Sequence, residues 1–299
     1  MAGRFAPSPT GPLHLGSLLA ATGSWLFARA AGVPWFVRME DLDTPRLVRG
    51  SAEEILDALE KYGLTWDGRV ERQSERTDMY DYGLERLRAT GLAYDCGCSR
   101  AEVARAASAP LLESPDEGAS PVYPGTCRGG LRAGKAPRAV RFRVAPGTVS
   151  FEDTVLGRIE EEPSRVVGDF VLKRADGPYA YQLAVVVDDG AQGITQVVRG
   201  ADLVSSTPRQ ILLQQALGLP RPLYAHLPLL LGPDGRKLGK RDGALPLDTL
   251  DEARVRSSLR TVLSLLGQAP VEGSPVEILA EAVRSFDPRR IPREPAALA

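Results

Sequence analysis

The sequence predicts an α/β fold, in which a doubly wound, Rossmann-like parallel sheet carries a small insertion and a short helical tail. Two observations predict this class. Short apolar runs typical of buried strands alternate with longer stretches of helical periodicity. Between about residues 93 and 165 this alternation gives way to short strand-like runs, as in a small mixed domain. The 299 residues allow about two domains with a well-buried core.

The composition is that of an ordinary globular protein. Apolar residues make up 43% and charged residues 25%, and the net charge is −1. These values exclude a protein coated in basic surface but allow a local basic patch. The sequence has no apolar run long enough to span a bilayer and no leader with a basic and then an apolar part. We therefore expect a cytoplasmic protein with no membrane partner, and we also expect a monomer. Three cysteines, an odd number, do not suggest a disulfide framework.

The first element is a strand that leads through a loop into a helix. The strand begins at Arg4, a loop rich in proline, serine, threonine and glycine follows, and helical periodicity starts at His14. The N-terminus of a helix presents unpaired N–H groups and the positive end of the helix dipole, so it can bind phosphate. Gly11 and Gly16 would let a ligand approach the backbone. An ordinary proline-rich loop is the alternative interpretation.

The next strand ends in a cluster of acidic residues. An apolar run over residues 34–39 is followed by three acidic side chains within residues 40–43. Open α/β sheets bind ligands at the carboxyl ends of their strands, so this cluster is a candidate site. Ser51 and Glu54 have the spacing of a capping box, which predicts a helix over 52–62.

Changes in composition and in the pattern of predicted elements divide the chain into four segments. These are the first half of a nucleotide-binding catalytic domain (1–92), the insertion (93–165), the second half of the catalytic domain (166–245) and a helical tail (246–299). Residues 179–189 fit a strand or a buried helix equally well. The other predicted elements are a helix over 74–92, a poorly ordered loop over 104–121, strands over 139–144, 148–151, 155–160, 170–173 and 193–199, a helix to residue 217 with Thr207 as its N-cap, and a helix over 253–266.

A second basic feature follows a late apolar run. The stretch from Arg236 to Arg241 comes after a tight turn and contains Lys237 and Lys240, two of the five lysines in the chain. Point charges on flexible side chains suit the negative charge that develops on a phosphate. On its own, such a run is equally consistent with a solvated surface.

Together these features resemble the class I aminoacyl-tRNA synthetases. The HIGH motif of that family matches His14 to Ser17, and its KMSKS motif matches Lys237 to Arg241. Within the class the chain is similar to the glutamyl branch, with which it shares the phrase from Arg4 to Gly11. Further matching phrases lie at 38–43, 183–189 and 198–202, so that the resemblance covers residues 3 to 245 in order.

The resemblance implies an enzyme that activates L-glutamate with ATP and Mg²⁺. Glutamyl-tRNA synthetases carry a large C-terminal anticodon-binding region, whereas this sequence stops at residue 299, shortly after the second motif. This implies the truncated members of the branch, which activate glutamate without tRNA and attach it to the queuosine base in the anticodon loop of tRNA(Asp). The alternatives are aminoacylation of the 3′ end of tRNA(Glu), a nucleotidyltransferase with HIGH-like loops, and a non-catalytic binding module.

The resemblance also implies roles for individual residues. The catalytic residues would be His14, Lys237 and Lys240, and the ATP-binding residues His14, Leu15, Gly16 and Lys240. The glutamate-binding residues would be Arg4, Phe5, Ala6, Pro7, Ser8, Glu40, Tyr181 and Arg199. A carboxylate and arginine forks suit a substrate with one ammonium and two carboxylates. The chain departs from the family at Ser17, where the motif has histidine, and at Gly239, where it has serine.

Four donors in the insertion resemble a family zinc site. They are Cys96, Cys98, Tyr123 and Cys127. Two thiolates, a phenolate and a third thiolate would fill the coordination of one Zn²⁺ and leave no open position, so the ion would be structural and would staple the insertion. Taken alone, the spacing also fits three free, partly buried cysteines.

Overall fold

The structure, a computed structural model, describes residues 1–107, 122–232 and 247–297. The strands are β1 (Gly3–Phe5), β2 (Trp35–Met39), β3 (Glu71–Arg72), β4 (Ala93–Cys96), β5 (Ala139–Phe142), β6 (Val149–Asp153), β7 (Gly157–Glu161), β8 (Val171–Lys173), β9 (Gln196–Gly200), β10 (Leu223–Leu227), β11 (Leu230–Leu231) and β12 (Ala296–Ala297). The α-helices are α1 (Leu15–Ala30), α2 (Ser51–Lys61), α3 (Thr77–Ala89), α4 (Arg100–Ala107), α5 (Pro163–Val166), α6 (Tyr181–Ala191), α7 (Thr207–Ala216), α8 (Glu252–Leu265) and α9 (Pro275–Ser285).

A seven-stranded sheet forms the centre of the molecule. Its order is β3-β2-β1-β9-β10-β6-β7, and neighbouring strands are parallel except for the antiparallel hairpin of β6 and β7 at one edge. From β1 the sheet continues to β2 on one side and to β9 on the other. The predicted α/β fold with a doubly wound parallel sheet is confirmed, and β1 lies where a ligand site is expected.

A second, antiparallel sheet consists of β4, β5 and β8. Its strands come from both sides of the boundary at residue 165, because β8 lies beyond it. The hairpin of β6 and β7, which the sequence places in the insertion, instead extends the central sheet through the pairing of Asp153 with Tyr224. The small sheet and the predicted insertion therefore overlap without coinciding.

The helical tail belongs to the main hydrophobic core. Leu18 and Leu26 on α1 share one buried cluster with Leu259 and Leu263 on α8 and with Ile278 on α9. The helix predicted over 253–266 is confirmed as α8. The second tail helix, α9, begins with a capping box and buries an apolar face on the same cluster, so the tail completes the core of the catalytic domain.

Two predicted helix caps are wrong. Ser51 is the first residue of α2 and Gly50 is its N-cap, while the Ser51 hydroxyl accepts a hydrogen bond from the Gly11 N–H (2.9 Å) and donates one to the Gly11 carbonyl (2.8 Å). Thr207 likewise opens α7 after a 3₁₀ turn and directs its hydroxyl to Arg199. The Ser51 hydroxyl bonds to a segment 40 residues earlier and the Thr207 hydroxyl to the preceding strand, β9, and a helix-cap pattern indicates neither contact.

The remaining elements resolve two open points of the sequence analysis. Residues 179–189 contain the start of the helix α6. The first residues of the loop predicted over 104–121 belong to α4, and positions 108–121 lie outside the described residues. Within the described parts of the chain, no helix is both long enough and apolar enough to span a membrane.

Candidate active site

A cavity of about 1000 Å³ opens at the carboxyl ends of β1, β2 and β9. Ala6 to Ser8 follow β1, Glu40 follows β2, and Arg199 lies near the end of β9. Because these strands are neighbours in a parallel sheet, the groups that follow them meet at one edge. All eight residues to which the sequence analysis assigns glutamate binding line this cavity: Arg4, Phe5, Ala6, Pro7, Ser8, Glu40, Tyr181 and Arg199.

A smaller cavity of about 170 Å³ adjoins the first at the start of α1. His14, Ser17 and Gly200 line both cavities, and Gly16 lines the smaller one. Two of the three predicted ATP-binding residues in this region thus face the cavities, whereas Leu15 packs against the main hydrophobic core. The start of α1 is therefore the part of the site with the geometry for phosphate.

His14 is the N-cap of α1 and forms a reciprocal capping box with Ser17. The Ser17 backbone N–H donates to Nδ1 of His14 (3.3 Å), and the His14 N–H donates to the Ser17 hydroxyl (2.7 Å). Since Nδ1 accepts a hydrogen bond, the neutral imidazole carries its proton on Nε2. The ring of His14 is thus held by a backbone N–H, while the Ser17 side chain, the departure from the family motif, bonds only to the His14 backbone.

Charged side chains of opposite sign surround the other end of the large cavity. Arg38 is fully buried and pairs with Asp189 (2.8 Å), Glu40 (3.4 Å) and Asp188 (3.6 Å). Arg4 also lies beside Asp189, at 3.4 Å. Burial raises the pKa of Glu40 to about 7, although Arg38 and Arg4 oppose this shift. Glu40 is thus a carboxylate whose charge lacks full compensation within the protein.

Arg199 is held by one side chain that lines the cavity and by two that lie behind its wall. It donates to the Tyr181 hydroxyl through Nη1 (3.3 Å), to Thr207 Oγ1 through Nη2 (2.8 Å) and to His226 Nε2 through Nε (3.2 Å). Burial also raises the pKa of Tyr181, so that this hydroxyl stays protonated at neutral pH. Two arginines and one carboxylate therefore face a cavity that continues to a helix N-terminus.

The four predicted metal donors lie together in the small-sheet region. The three thiol sulfurs are within 4.8 Å of one another, and those of Cys98 and Cys127 are 3.6 Å apart. The Tyr123 oxygen lies 3.4 Å from the Cys96 sulfur and 3.8 Å from the Cys98 sulfur. Bonds of about 2.0–2.3 Å in a tetrahedral zinc site separate neighbouring donors by about 3.3–3.8 Å, so this donor set fits Zn²⁺.

Hydrogen bonds from a backbone N–H and from Arg141 reach the donor atoms of this cluster. The Cys127 backbone N–H donates to the Tyr123 oxygen (2.9 Å), an arrangement that suits a phenolate. Burial raises the pKa of the Cys98 thiol to about 11, and a bound cation would favour the thiolate instead. Arg141 Nε donates to the Cys96 sulfur (3.3 Å), and its guanidinium lies 3.9 Å above the Tyr123 ring.

Comparison with known proteins identifies the family. The sequence profile of the catalytic domain of class I tRNA synthetases (E and Q) matches residues 1–298. The chain belongs to the class I tRNA synthetases. A glutamyl-Q tRNA(Asp) synthetase of Geobacter sulfurreducens is 55% identical over 298 residues, which cover 97% of this chain and 93% of the relative. One of Dechloromonas aromatica is 50% identical, with 98% and 96% covered.

Solved structures agree with this assignment. A glutamate tRNA ligase from Elizabethkingia meningosepticum, in complex with its amino acid, superposes with a TM-score of 0.80 at 29% identity. The match covers all of this chain and 67% of that ligase. The predicted class I synthetase fold is therefore confirmed. The second motif of this synthetase, with Lys237, Gly239 and Lys240, lies outside the described residues, so the roles of its lysines stay predictions.

Several residues of the site were missed by the sequence analysis. Arg38, Asp188 and Asp189 lie in the phrases shared with the glutamyl branch, yet only the fold shows that they form one buried network. His226 is one of only two histidines in the chain, which could have drawn attention to it. Nothing in the sequence around Asp153 indicates that it reaches His226.

Proposed function

We propose that this synthetase activates L-glutamate with ATP, without tRNA, and transfers the glutamate to the queuosine base of tRNA(Asp). The observation that carries the proposal is the continuous cavity that joins Glu40, Arg4 and Arg199 to the His14 end of α1. The names of the relatives and the amino acid bound to the similar ligase support the same substrate.

In the activation step the protein orients two negatively charged reactants. Glu40 pairs with the substrate ammonium, and Arg4 and Arg199 bind its carboxylates. His14 and the N–H groups at the start of α1 bind ATP, which enters with Mg²⁺. The α-carboxylate of glutamate attacks the α-phosphorus, the bond to pyrophosphate breaks, and glutamyl-adenylate forms. Positioning and charge neutralisation supply the rate enhancement. Lys237 and Lys240 would add positive charge at the phosphates.

The transfer step uses the open side of the cavity. There the exposed side chain of Arg46 and the half-buried side chains of Asp43 and Arg174 line the mouth. A hydroxyl of the queuosine cyclopentenediol attacks the carbonyl carbon of the adenylate, and AMP leaves with the bonding electrons. Both arginines pair with Asp43 here, and an RNA phosphate could replace that carboxylate as their partner.

We further propose that Cys96, Cys98, Tyr123 and Cys127 hold one structural Zn²⁺. Bound there, the ion would cross-link the end of β4 to the segment around Tyr123 and Cys127. All four positions of a tetrahedral ion would be filled, so the site has no place for a substrate. ATP, glutamate and tRNA are cytoplasmic, and we propose that the enzyme acts there as a monomer.

Two assays test this function. Exchange of radiolabelled pyrophosphate into ATP should require glutamate and should not require tRNA. Radiolabelled glutamate should then be attached to tRNA(Asp) that contains queuosine and not to the unmodified transcript. Nuclease fragments should carry the label in the anticodon loop.

Two other results would count against the proposal. Charging of an unmodified tRNA(Glu) transcript at its 3′ end would mean that the enzyme carries out ordinary aminoacylation. Pyrophosphate exchange that does not depend on glutamate would point to a nucleotidyltransferase.

A further inference from the structure

A chain of buried polar side chains runs from Arg199 to the edge of the central sheet. Arg199 Nε donates to His226 Nε2 at 3.2 Å, and His226 Nδ1 lies 2.6 Å from Asp153 Oδ2. The side chains of His226 and Asp153 are fully buried. Asp153 ends β6, His226 lies on β10 and Arg199 lies on β9, so this row of hydrogen-bonded side chains crosses three neighbouring strands.

Asp153 fixes the tautomer of the histidine. Its Oδ1 accepts three backbone hydrogen bonds, from Val155 (3.0 Å), Leu156 (2.9 Å) and His226 (3.2 Å). Burial raises the pKa of Asp153, but the hydrogen bonds from His226 and the backbone outweigh it and hold this pKa below its usual value. The ionised carboxylate therefore accepts the Nδ1 proton, and Nε2 presents its lone pair to Arg199.

The histidine itself stays neutral. Burial lowers the pKa of His226 below its usual value, against the opposing effect of Asp153, and the nearby positive charge of Arg199 lowers it further. Tyr224, Phe151 and Thr207 complete the surroundings of the ring and add no charge at neutral pH. A neutral ring with its proton on Nδ1 is the form that can accept a hydrogen bond from an arginine.

The same contacts fix the orientation of the guanidinium. Besides His226, Arg199 donates to Thr207 Oγ1 and the Leu203 carbonyl through Nη2 and to Tyr181 through Nη1. Together these contacts use four of the five N–H groups of an arginine side chain. Among the described residues no carboxylate pairs directly with Arg199. The charge of Asp153 reaches it only through a neutral ring, which leaves the positive charge available to a ligand.

We propose that Asp153 and His226 are positioning residues that orient Arg199 to bind a carboxylate of the glutamate substrate. This inference rests on the proposed function of the cavity. Second-layer partners of this kind set the orientation and hydrogen-bonding capacity of the residue that touches the ligand. A purely structural role, in which the pair only stabilises the contact between β6 and β10, predicts lower stability without a selective loss of glutamate binding.

The test compares two buried aspartates. In Asp153→Asn, the three backbone N–H groups keep the amide oxygen in the place of Oδ1, so the amide NH₂ donates to Nδ1 of His226. The proton of the ring then moves to Nε2, where it faces the N–H of Arg199 and the hydrogen bond between the two side chains is lost. The KM for glutamate in pyrophosphate exchange should rise about tenfold, the scale of one hydrogen bond to a charged group, while the KM for ATP should stay within about twofold. The matched control is Asp169→Asn, because Asp169 is equally buried but pairs with Arg128, away from the cavity.

A second pair of variants guards against loss of folding in Asp153→Asn. His226→Gln keeps an acceptor for Arg199, whereas His226→Leu removes it, so the glutamine variant should retain more glutamate affinity than the leucine variant. If neither Asp153→Asn nor His226→Leu changes the KM for glutamate in an active enzyme, the inference is overturned. If the wild-type chain shows no glutamate-dependent exchange, the proposed function fails and the inference fails with it.

Discussion

The glutamate end of the cavity and the cysteine cluster gather polar groups in different ways. At the cavity, Arg38 lies between Glu40, Asp188 and Asp189, so that each buried carboxylate has a cation beside it and only the charge of Glu40 is left partly uncompensated. At the cluster, three thiols and a phenol converge, and Arg141 is the one cation of the described residues that hydrogen-bonds a thiol there. The charged groups of the cavity are therefore largely paired within the fold, whereas the cluster has donors in excess.

This difference predicts that the two sites fail independently. A preformed pocket loses function when one of its own charges is removed, because the partner groups stay buried and unpaired. A metal cluster loses its cross-link when the ion leaves, and the distant pocket need not respond. The three predictions that follow test this separation through glutamate activation.

The largest effect is expected for Glu40→Gln. The amide cannot balance the substrate ammonium, so kcat/KM for glutamate in pyrophosphate exchange should fall by about 100-fold or more, ~3 kcal/mol. The zinc content, measured by atomic absorption, should be unchanged. Glu85→Gln, on the exposed face of α3, is the matched control and should behave as wild type. Wild-type kinetics in the Glu40 variant would show that this carboxylate does not touch the substrate.

A smaller effect is expected from pH. With a pKa of about 7, Glu40 is mostly neutral at pH 6 and mostly ionised at pH 8. Only the ionised form pairs with an ammonium, so the KM for glutamate should fall about tenfold as the pH rises from 6 to 8. Although burial opposes both shifts, neighbouring opposite charges raise the pKa of Arg38 and lower the pKa of Asp189, so these two neighbours of Glu40 keep their charges in this range.

The pH profile has its own control. In Glu40→Gln the KM for glutamate should be high and nearly independent of pH between 6 and 8, because the titrating group is gone. A wild-type KM that is flat over this range would contradict a carboxylate with a raised pKa in contact with the substrate. Steady-state pyrophosphate exchange at fixed, saturating ATP measures both profiles.

The smallest effect on activation is expected from removing the metal. Cys127→Ser should lower the zinc content well below one ion per chain and should increase hydrogen exchange in the small sheet. Glutamate-dependent pyrophosphate exchange should stay within about twofold of wild type, since the two sites share no hydrogen-bonding partner among the residues that the structure describes. Chelation of zinc from the wild type should cause the same increase in hydrogen exchange, and adding zinc back should reverse it. A large loss of exchange would mean that the cluster and the cavity are coupled.

Local patterns in the sequence predicted much of the fold and of the candidate site. The helix after His14 and the acidic group after β2 each follow from short stretches of chain, whereas the set of metal donors followed from the family resemblance. In contrast, Ser51 bonds to Gly11 and Thr207 to Arg199, so neither hydroxyl caps its helix as the local pattern predicts. Both partners lie outside the helical turn that a cap pattern describes, so they depend on how neighbouring elements pack.

The sequence also could not predict which strands belong to which sheet. The runs that became β6 and β7 look like any other short strands, and only pairing with β10 puts Asp153 beside His226. Strand propensity and alternation identify a strand but do not select its neighbour. For the same reason the rarity of histidine could single out His226, but no pattern in the sequence paired it with Arg199 or Asp153.

The packing of α1 against the tail bears on how the chain folds as it is synthesised. The buried cluster that covers α1 includes residues of α8 and α9, which leave the ribosome more than two hundred positions later. At about 5–20 residues per second, α1 waits on the order of ten seconds or more for these partners. During that time its apolar face has to be shielded by other means, such as a chaperone. Full burial of α1 thus waits for the synthesis of α8 and α9.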